Sequence, residues 1–571
     1  MIGKARLPAA MLALLFPVNG IPLQAAQPPA ATPATNQPVP AGHQALVSLY
    51  REFRAFVPPA MRDGVPDYSP AAMAAQYTGL QRFMTRLRAI DDSAWPVPDR
   101  VDYMLVLAEM RGLEFQHRVV QPWRRDPAFY STTNLGFGPK MHGAFNIPAL
   151  PIRADQVAPL AVRLNAVPEA LRQARANLTD PRGDLARLAI QQKRIEVNVF
   201  TRLAEDARTH HPELVAPALR ARDAAAAFLA WLEGIEASLP AHAGVGRENY
   251  DWYLRHVLLL PYTSREIETI GEREYQRMIA FLRIEEHRNR GLPELPMVRT
   301  RTEFDAKRAR EDDSLLAFLR DGEWVTIPDY VRHDPEEGPY ILPAERDPSR
   351  PGLFENPEGV HFFFQTEFRD GLPLRAHNLP GHAFDQLQAE RDARPIRGQR
   401  RLFFVDGLRN EGWAFYLEEM ILQAGLLEDR PRTREIDYIL GAKRAARVLP
   451  ELRMQANEWT WAEANASLVR RTPRWMHPGD AIAQFDIELY LRQPGYGIGY
   501  YIGKVELERL LAERSMQLGD GFDIRAFHDQ FRAAGALPIS LIRWEMTGRD
   551  DEIRAMRDGF RNAGTTAASG D

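Results

Sequence analysis

The sequence predicts a mostly α-helical protein, built as one large helical domain with a central cleft and few short strands. Apolar residues recur every three or four positions through most of 45–290, as at Leu80, Phe83 and Leu87. This spacing is typical of helices with one buried face. Alternating runs that would indicate strands are confined to 323–327 and 359–364. No segment repeats at a fixed period of about 20–50 residues, so the pattern does not indicate a solenoid.

Two helices are predicted with defined boundaries. The alanine-rich segment 215–238 has the composition and spacing of one long helix. A second helix is predicted over 264–283, because Thr263 precedes it and Glu266 stands three positions later, the arrangement of a capping box. Prolines and glycines concentrate in 327–381, which predicts long surface connections around a site.

The first 26 residues have the pattern of a secretory signal peptide. Lys4 and Arg6 precede the apolar stretch 7–18, and small residues follow up to Ala26. The stretch is shorter than the roughly 20 apolar residues that cross a bilayer, so we expect cleavage near Ala26. An uncleaved N-terminal anchor is the alternative. Export to the periplasm, or secretion from a bacterium, follows from the first interpretation.

The rest of the chain divides by composition into a linker, a body and a tail. Residues 27–44 are rich in proline and alanine, which predicts an extended linker. The helical domain is expected over 45–550, with an N-terminal lobe at 45–290 and a site-bearing lobe at 291–550 as a further division. A flexible tail is expected at 551–571, whose composition ends in small and polar residues.

Charge and cysteine content exclude several classes of function. Lys and Arg total 72 against 76 Asp and Glu, for a formal net charge of −4. A scattered, nearly balanced charge gives no reason to expect nucleic-acid binding, which depends on clustered cations. The chain contains no cysteine, so it has no thiol nucleophile and no thiolate metal site. Any metal must therefore be bound by His, Asp or Glu. After the N-terminal segment, no stretch predicts an integral membrane span.

Two common catalytic or phosphate-binding motifs are missing from the sequence. No G-x-S-x-G elbow occurs, which argues against an α/β-hydrolase serine. The glycine-rich segment 495–504 has a spacing that does not fit a dinucleotide fingerprint. Lys504 is followed by Val505 rather than by the Ser or Thr of a phosphate-binding loop. A tight, closely packed turn is the better interpretation of these glycines.

The most informative residues are His377, His382 and Glu411. Pro380 suits the first turn of a helix, which predicts a helix start near 379–380, with His377 in the preceding loop. A second helix is predicted from Asn410 to about residue 423, and packing of the two would bring His382 and Glu411 together. Two imidazoles and one carboxylate form the ligand set of a catalytic zinc. The alternative is that both histidines only satisfy backbone groups.

Several longer motifs add a resemblance to a known family. The quoted segments are Y-x-W-x-L at 250–254, V-T-I-P-D-Y at 325–330, P-G-H at 380–382, E-G-W-A-F-Y-L-E at 411–418, P-G-x-x-x-x-Y-x-I-G at 494–503 and F-H-D-x-F-x-x-x-G-A-L-P at 527–538. On these motifs the chain, over roughly 45–550, resembles the bacterial family called domain of unknown function 885. The family is similar to helical zinc metallopeptidases of the gluzincin type, which implies a metallopeptidase-like fold.

The resemblance also implies a metal motif from which this sequence departs. The family pattern looks like H-E-x-x-P-G-H followed by E-G-W-A, so His382 and Glu411 match metal ligands. Without a gap, the first histidine of the pattern falls on Ala376 and its glutamate on His377. With a shift of one residue, the histidine matches His377 and the glutamate becomes Asn378. In either alignment the glutamate that would act as general base is absent.

Three functional hypotheses follow. In the first, His377, His382 and Glu411 bind zinc or another divalent metal, and the chain is an exported hydrolase that cleaves peptides or small molecules. Asp385 or Glu418 would then replace the missing base, and the family match places Tyr500 where it could stabilise the oxyanion. In the second, the protein is an inactive scaffold that binds a peptide or another ligand. In the third, the metal remains and the reaction differs.

Overall fold

The computed structural model describes residues 41–134, 138–331 and 352–562. These residues are mostly helical, which confirms the predicted fold class. The predicted signal peptide and residues 27–40 of the predicted linker lie outside the described residues. The first helix begins at Ala41, so the last four positions of the predicted linker are helical.

The described residues form 22 α-helices, some separated by a single residue and others by long connections. In the first half they are α1 (Ala41–Phe56), α2 (Pro70–Arg88), α3 (Val97–Phe115), α4 (Pro122–Arg125), α5 (Ala154–Asn177), α6 (Gly183–His210), α7 (Val215–Ile235), α8 (Arg247–His256), α9 (Ser264–Arg288) and α10 (Arg301–Asp321). In the second half they are α11 (Phe362–Asp370), α12 (Leu372–Ala376), α13 (Phe384–Ala389), α14 (Gly407–Gln423), α15 (Pro431–Ala446), α16 (Val448–Gln455), α17 (Trp461–Arg471), α18 (Ala481–Arg492), α19 (Tyr496–Leu518), α20 (Ile524–Ala534), α21 (Ile539–Thr547) and α22 (Asp551–Asn562). Wider π-helical turns span Gln116–Val120 and His377–Ala383.

One antiparallel strand pair, β1 (Met61–Arg62) with β2 (Val65–Pro66), is formed within the described residues. The two strands predicted elsewhere are wrong. Residues 323–327 are irregular chain after α10, and 359–364 passes from a 3₁₀ turn into α11. His361 caps that helix, because its Nδ1 accepts the backbone N–H two residues later at 3.2 Å. The cap at His361 therefore favours a helix in this segment, although its short apolar run predicts a strand.

The helix start predicted from the capping box is confirmed. Oγ1 of Thr263 accepts the N–H of Glu266 at 3.4 Å, and Oε2 of Glu266 accepts the N–H of Thr263 at 2.7 Å. These bonds satisfy two donors that a helix start leaves unpaired. The helix α9 runs five residues beyond the predicted end. The predicted helix 215–238 is observed as α7 followed by one 3₁₀ turn.

Most buried apolar side chains belong to two clusters. The larger cluster joins both ends of the chain, from Leu46 in α1 to Phe560 in α22. The smaller one lies between Val65 and Leu232 and is formed mainly by α5, α6 and α7. The lobe boundary predicted at 290 therefore does not match the packing. Helical periodicity shows which face of α1 and α2 is buried, but it does not show that these helices pack against the C-terminal half. Helix α3 is buried on all sides from Val101 to Leu113.

The first part of the predicted tail, residues 551–562, is helical, and the rest, 563–571, lies outside the described residues. Residues 551–562 form α22, which buries Ile553, Met556 and Phe560 against the larger cluster. The guanidinium group of Arg88 lies 4.5 Å from the centre of the Phe560 ring. The apolar residues recur at three- and four-residue spacing, so the sequence did carry the signal for this helix. Across the described ranges, no helix is both long and apolar enough to cross a bilayer.

The helices α14 and α19 pack closely at two glycines. A Cβ atom on Gly503 would overlap the carbonyl oxygen of Leu408 and would lie 2.9 Å from Cα of Gly412. Gly495, just before α19, has a φ of +90°, a conformation that favours glycine. The glycines of 495–504 therefore serve a tight turn and close helix packing, as predicted. This contact holds α14 in position, and α14 carries part of the site.

Replacing Gly503 with alanine is expected to destabilise the protein by about 1–3 kcal/mol, because the added methyl group must push the two helices apart. The matched control is Gly499→Ala on the same helix, where the nearest atom to a new Cβ lies at 3.8 Å. That control should be neutral, or stabilising by up to about 1 kcal/mol from helix propensity. Urea denaturation measures both variants, and equal midpoints would contradict the proposed contact.

Candidate metal site

His377 and His382 lie in one helical segment formed by α12, the π turn 377–383 and α13. The predicted helix start near 379–380, with His377 in a loop, is wrong. In an α-helix Pro380 would lack its hydrogen bond and clash with the preceding turn, and the wider π turn relieves that clash. Residues five apart would be turned by about 140° in an α-helix. The π turn instead brings the two imidazole rings to a centre distance of 4.6 Å.

Glu411 lies in the second turn of α14. This helix begins at Gly407 rather than at the predicted Asn410, and it ends at the predicted residue 423. Asn410 does not cap the helix, since its side-chain amide donates to Asp406 at 2.9 Å. The helix packs directly on the π turn, where Nε1 of Trp413 donates to the carbonyl oxygen of Pro380 at 3.3 Å. The predicted approach of the two histidines and Glu411 is therefore observed.

Each of the three predicted ligands directs one possible metal-binding atom toward a common point. Nε2 of His377 and Nε2 of His382 are 3.1 Å apart. Oε2 of Glu411 lies 3.6 Å from the first nitrogen and 3.8 Å from the second. Within the described ranges, this is the one group of three His, Asp or Glu side chains that could hold a single ion. The exposed fraction of the side chain is 0% for Glu411, 3% for His377 and 12% for His382.

The two carboxylate oxygens of Glu411 have different surroundings. Oε1 accepts a hydrogen bond from the hydroxyl group of Tyr496 at 2.8 Å. Oε2 is buried and has no hydrogen-bond partner among the described residues. Burial raises the pKa of Glu411 to about 7, and the hydroxyl groups of Tyr496 and Tyr500 partly offset this shift. A buried acceptor without a donor is costly, and a cation at the common point would satisfy it.

A buried ion pair supports His377 from the opposite side of its ring. Nδ1 of His377 lies 2.6 Å from Oε1 of Glu418, and Arg444 binds both oxygens of Glu418. Glu418 is seven residues, or about two turns, after Glu411, so both lie on the same face of α14. Burial and the arginines lower the pKa of His377 well below its usual value, and burial does the same for His382. Both imidazoles are therefore neutral, as metal binding requires.

The other two predicted catalytic residues take different positions. Asp385 binds Arg409 through Oδ2, and its Oδ1 lies 3.3 Å from Nε of Arg532. The negative charge of Asp385 acts to raise the pKa of His382, in opposition to the larger lowering caused by burial. The ring of Tyr500 stacks on the ring of His377, with centres 6.3 Å apart and planes 17° apart. Tyr500 thus contacts the cluster directly, whereas Asp385 acts on it through its charge.

Sequence reasoning missed Tyr496 and Arg444. Tyr496 stands four residues before Tyr500, and residues four apart share one face of a helix. That spacing within 494–503 could have identified it. Arg444 is 26 residues from Glu418 and is not part of any quoted motif, so only the packing of α15 on α14 shows its role.

Solved structures with a similar fold include two bacterial proteins. One is described as "a putative lipoprotein of unknown function from Shewanella oneidensis"; it has a TM-score of 0.67 and 16% sequence identity, and the match covers 89% of this chain and 100% of that chain. The other is described as "the putative lipoprotein from Colwellia psychrerythraea", with a TM-score of 0.64 and 17% identity over 90% of this chain and 100% of that chain. At these identities the likeness shows the fold alone. No match is found among curated proteins.

A family assignment comes from the sequence comparison. Residues 54–313 and 322–546 match the family described as "Bacterial protein of unknown function (DUF885)". The match covers most of the chain and includes α14, α19 and the π turn. The likeness to gluzincin metallopeptidases is tested by none of these comparisons and stays a prediction. The chain belongs to the DUF885 family of bacterial proteins.

Proposed function

We propose that this protein is an exported, metal-dependent hydrolase that cleaves peptide or peptide-like substrates. The observation that carries the proposal is the convergence of two neutral imidazole nitrogens and one unpaired carboxylate oxygen at a buried point. His377, His382 and Glu411 would hold the metal. Zinc is the first choice for two nitrogens and one oxygen, and another divalent metal is the alternative.

The donor distances fit a zinc ion. Zinc binds histidine nitrogen and carboxylate oxygen at about 2.0–2.2 Å in tetrahedral geometry, so two of its ligands lie about 3.3–3.6 Å apart. The observed separations of 3.1, 3.6 and 3.8 Å are close to that range. Three protein ligands leave a fourth position for water or substrate, as in catalytic zinc sites. When bound, the metal would polarise a substrate carbonyl and lower the pKa of a water molecule.

Residues around the ligands would position them. Glu418, held by Arg444, fixes the ring of His377 through Nδ1 and directs Nε2 toward the common point. The hydroxyl group of Tyr496 donates a hydrogen bond to Oε1 of Glu411, so Oε2 would be the oxygen that binds the metal. Partners of this kind orient ligands and raise metal affinity. Glu418 therefore suits a positioning role better than the role of a base.

We assign proton transfer to Asp385. Its side chain is 14% exposed and its charge acts on His382, whereas Glu418 is 1% exposed and bound to His377 and Arg444. Asp385 would have to act from within its own ion pairs with Arg409 and Arg532. In hydrolysis, the water oxygen would bond to the carbonyl carbon and the carbon–nitrogen bond would break. Asp385 would take a proton from the water and pass it to the leaving nitrogen. Tyr500, whose ring stacks on His377, would donate a hydrogen bond to the developing oxyanion.

A second candidate function is binding without hydrolysis. Asn378 stands where the shifted family motif has its glutamate, and an amide cannot accept a proton at neutral pH. In that case the cluster would hold a metal or ligand for recognition only. The experiment below separates the two candidates, because it measures metal content and turnover on the same protein.

The test uses protein stripped with a chelator and titrated with zinc. The expected result is one zinc per chain, and cleavage of a mixed peptide pool, followed by mass spectrometry, only after zinc is added. His382→Ala should lose both zinc binding and cleavage. The matched control is His477→Ala, which replaces an exposed histidine and should keep both. Zinc binding without cleavage would support the second candidate, and absence of zinc binding would overturn the proposed metal site.

Export is supported by the N-terminal pattern of basic and apolar residues, and both similar structures are described as a "putative lipoprotein". We therefore propose a periplasmic or secreted location. N-terminal sequencing of the protein recovered from the periplasm or the medium should show cleavage near Ala26. Recovery of the uncleaved chain from the cytoplasm alone would contradict export.

A further inference from the structure

Three cationic side chains lie buried beside the metal site. Lys443 and Arg444 belong to the last turn of α15, and Arg447 follows between α15 and α16. Their side chains are at most 2% exposed. The guanidinium carbon of Arg447 lies 4.2 Å from the centre of the Tyr500 ring, and that of Arg444 lies 5.2 Å from it. Buried cations are rare unless they are paired, so their partners show what they do.

The carboxylates around these cations leave one nitrogen of Arg447 without a hydrogen-bond acceptor. Asp486 lies 2.5 Å from Nζ of Lys443, and it accepts from Nε and Nη2 of Arg447 at 3.1 and 3.2 Å. Glu418 is bound by Arg444. Nη1 of Arg447, on the edge of the guanidinium group turned away from Asp486, is buried without a hydrogen-bond partner among the described residues. An unsatisfied buried donor of a charged group is costly, and an acceptor from a ligand would remove that cost.

The charge balance of the site points to an anionic acceptor. Lys443 and Arg447 share the single carboxylate of Asp486, so these two basic groups have one fewer bound carboxylate than they have formal positive charges. A divalent cation held by the proposed ligands would add two positive charges to a buried region. An anionic group on the substrate would reduce this excess, because uncompensated charge in a region of low dielectric is strongly unfavourable.

Aromatic rings border the same region. The ring of Phe363 lies over all three cations, with its centre 4.3 Å from Nζ of Lys443 and about 6 Å from the guanidinium carbons of Arg444 and Arg447. Phe363 is partly exposed, whereas the cations below it are buried. Tyr500 stacks on His377 and also contacts Arg447 through its ring. A substrate group bound to Arg447 would therefore lie near the metal ligand His377.

We propose that the site takes peptides through their free C-terminal carboxylate, which Nη1 of Arg447 binds, so that the bond next to the C-terminus lies at the metal. This inference rests on the proposed hydrolase function and names its substrate class. The planar guanidinium group suits a carboxylate better than an ammonium group would. The Tyr500 ring contacts both Arg447 and His377, so a carboxylate bound to Nη1 of Arg447 would lie close to the bond that is cleaved.

The first experiment measures binding by calorimetry with three probes: an N-acetylated dipeptide with a free C-terminus, its C-terminal amide, and an amidated dipeptide with a glutamate side chain. Metal-free and zinc-loaded protein are both used. The free acid should bind at least tenfold more tightly than the simple amide in both forms, since hydrogen bonds to charged groups contribute strongly. Equal binding of acid and amide would overturn the inference. Equal binding of the acid and the glutamate probe would overturn the C-terminal assignment.

The second experiment assigns the preference to Arg447. Arg447→Lys keeps a positive charge for Asp486 but lacks the second nitrogen, and it should reduce the preference for the free acid at least tenfold. Arg447→Met removes the donor entirely and should abolish the preference. The control is Arg453→Met, less than two turns further on, whose guanidinium binds Glu268 and Glu458 instead. A preference that survives in a folded Arg447→Lys protein would contradict the assignment.

The outcomes also separate this inference from the function on which it rests. If zinc binds and peptides are cleaved but acid and amide behave alike, the hydrolase stands and the carboxylate site fails. If the free acid binds preferentially to a protein that neither holds zinc nor cleaves peptides, the carboxylate site stands and the hydrolase fails. The comparison of acid and amide on the unmodified protein does not depend on any variant folding.

Discussion

Glu411→Gln should weaken zinc binding by at least about 100-fold and remove hydrolysis. The glutamine side chain keeps nearly the same shape and can still accept the hydrogen bond from Tyr496, but its amide is a poor zinc ligand. Loss of a residue that only orients a ligand costs about 10–100-fold in metal affinity, so loss of the ligand itself should cost more. Competition with a chromogenic chelator measures the affinity, and a peptide assay measures turnover.

The control for this prediction is Tyr496→Phe, which removes one hydroxyl group and keeps the ring that stacks on Phe404. It should cost about 10–100-fold in zinc affinity. The pH dependence gives a second check. Because the pKa of Glu411 in the metal-free protein is raised to about 7, zinc must displace a proton below pH 7, and affinity should rise from pH 6 to 8. Glu411→Gln should lack this rise. Unchanged zinc affinity in both variants would refute the metal site.

The three metal-binding residues could be predicted because the sequence offers few alternatives. A chain without cysteine must use His, Asp or Glu, and two histidines five residues apart stand near the segment 411–418. The local geometry could not be predicted, because Pro380 is normally read as a helix start. The π turn that lets Pro380 remain inside a helix depends on packing against Trp413, which lies far along the sequence.

Long-range pairing explains most of what the sequence did not show. Glu418 was predicted as a possible base, yet Arg444 and His377 bind it on two sides. The pairing of α15 with α14 creates these contacts, and no local pattern encodes it. The lobe boundary at 290 failed for the same reason, since the larger core joins α1 to α22. Capping motifs and apolar periodicity depend only on neighbouring residues. They therefore predicted local features correctly, such as the start of α9 after Thr263.

Arg444→Met should have the second large effect, on stability as well as on metal binding. Glu418 is 1% exposed, so removal of its partner leaves a buried carboxylate without compensation. Breaking a buried pair in this way typically costs about 3–5 kcal/mol. Burial already raises the pKa of Glu418, and the loss of Arg444 would raise it further. His377 would lose the charged partner that orients its ring, and zinc affinity should fall about 10–100-fold.

The matched control is Arg172→Met on α5. The guanidinium group of Arg172 binds Glu169 at 2.6 Å, yet 63% of its side chain is exposed, so water replaces the lost partner. Urea denaturation should show a large shift for Arg444→Met and a shift near zero for Arg172→Met. A double variant, Arg444→Met with Glu418→Met, should recover about 2 kcal/mol relative to the sum of the single changes, because no charge is left unpaired. If the single and double changes are additive, Arg444 and Glu418 do not act as a pair, and the support proposed for His377 is wrong.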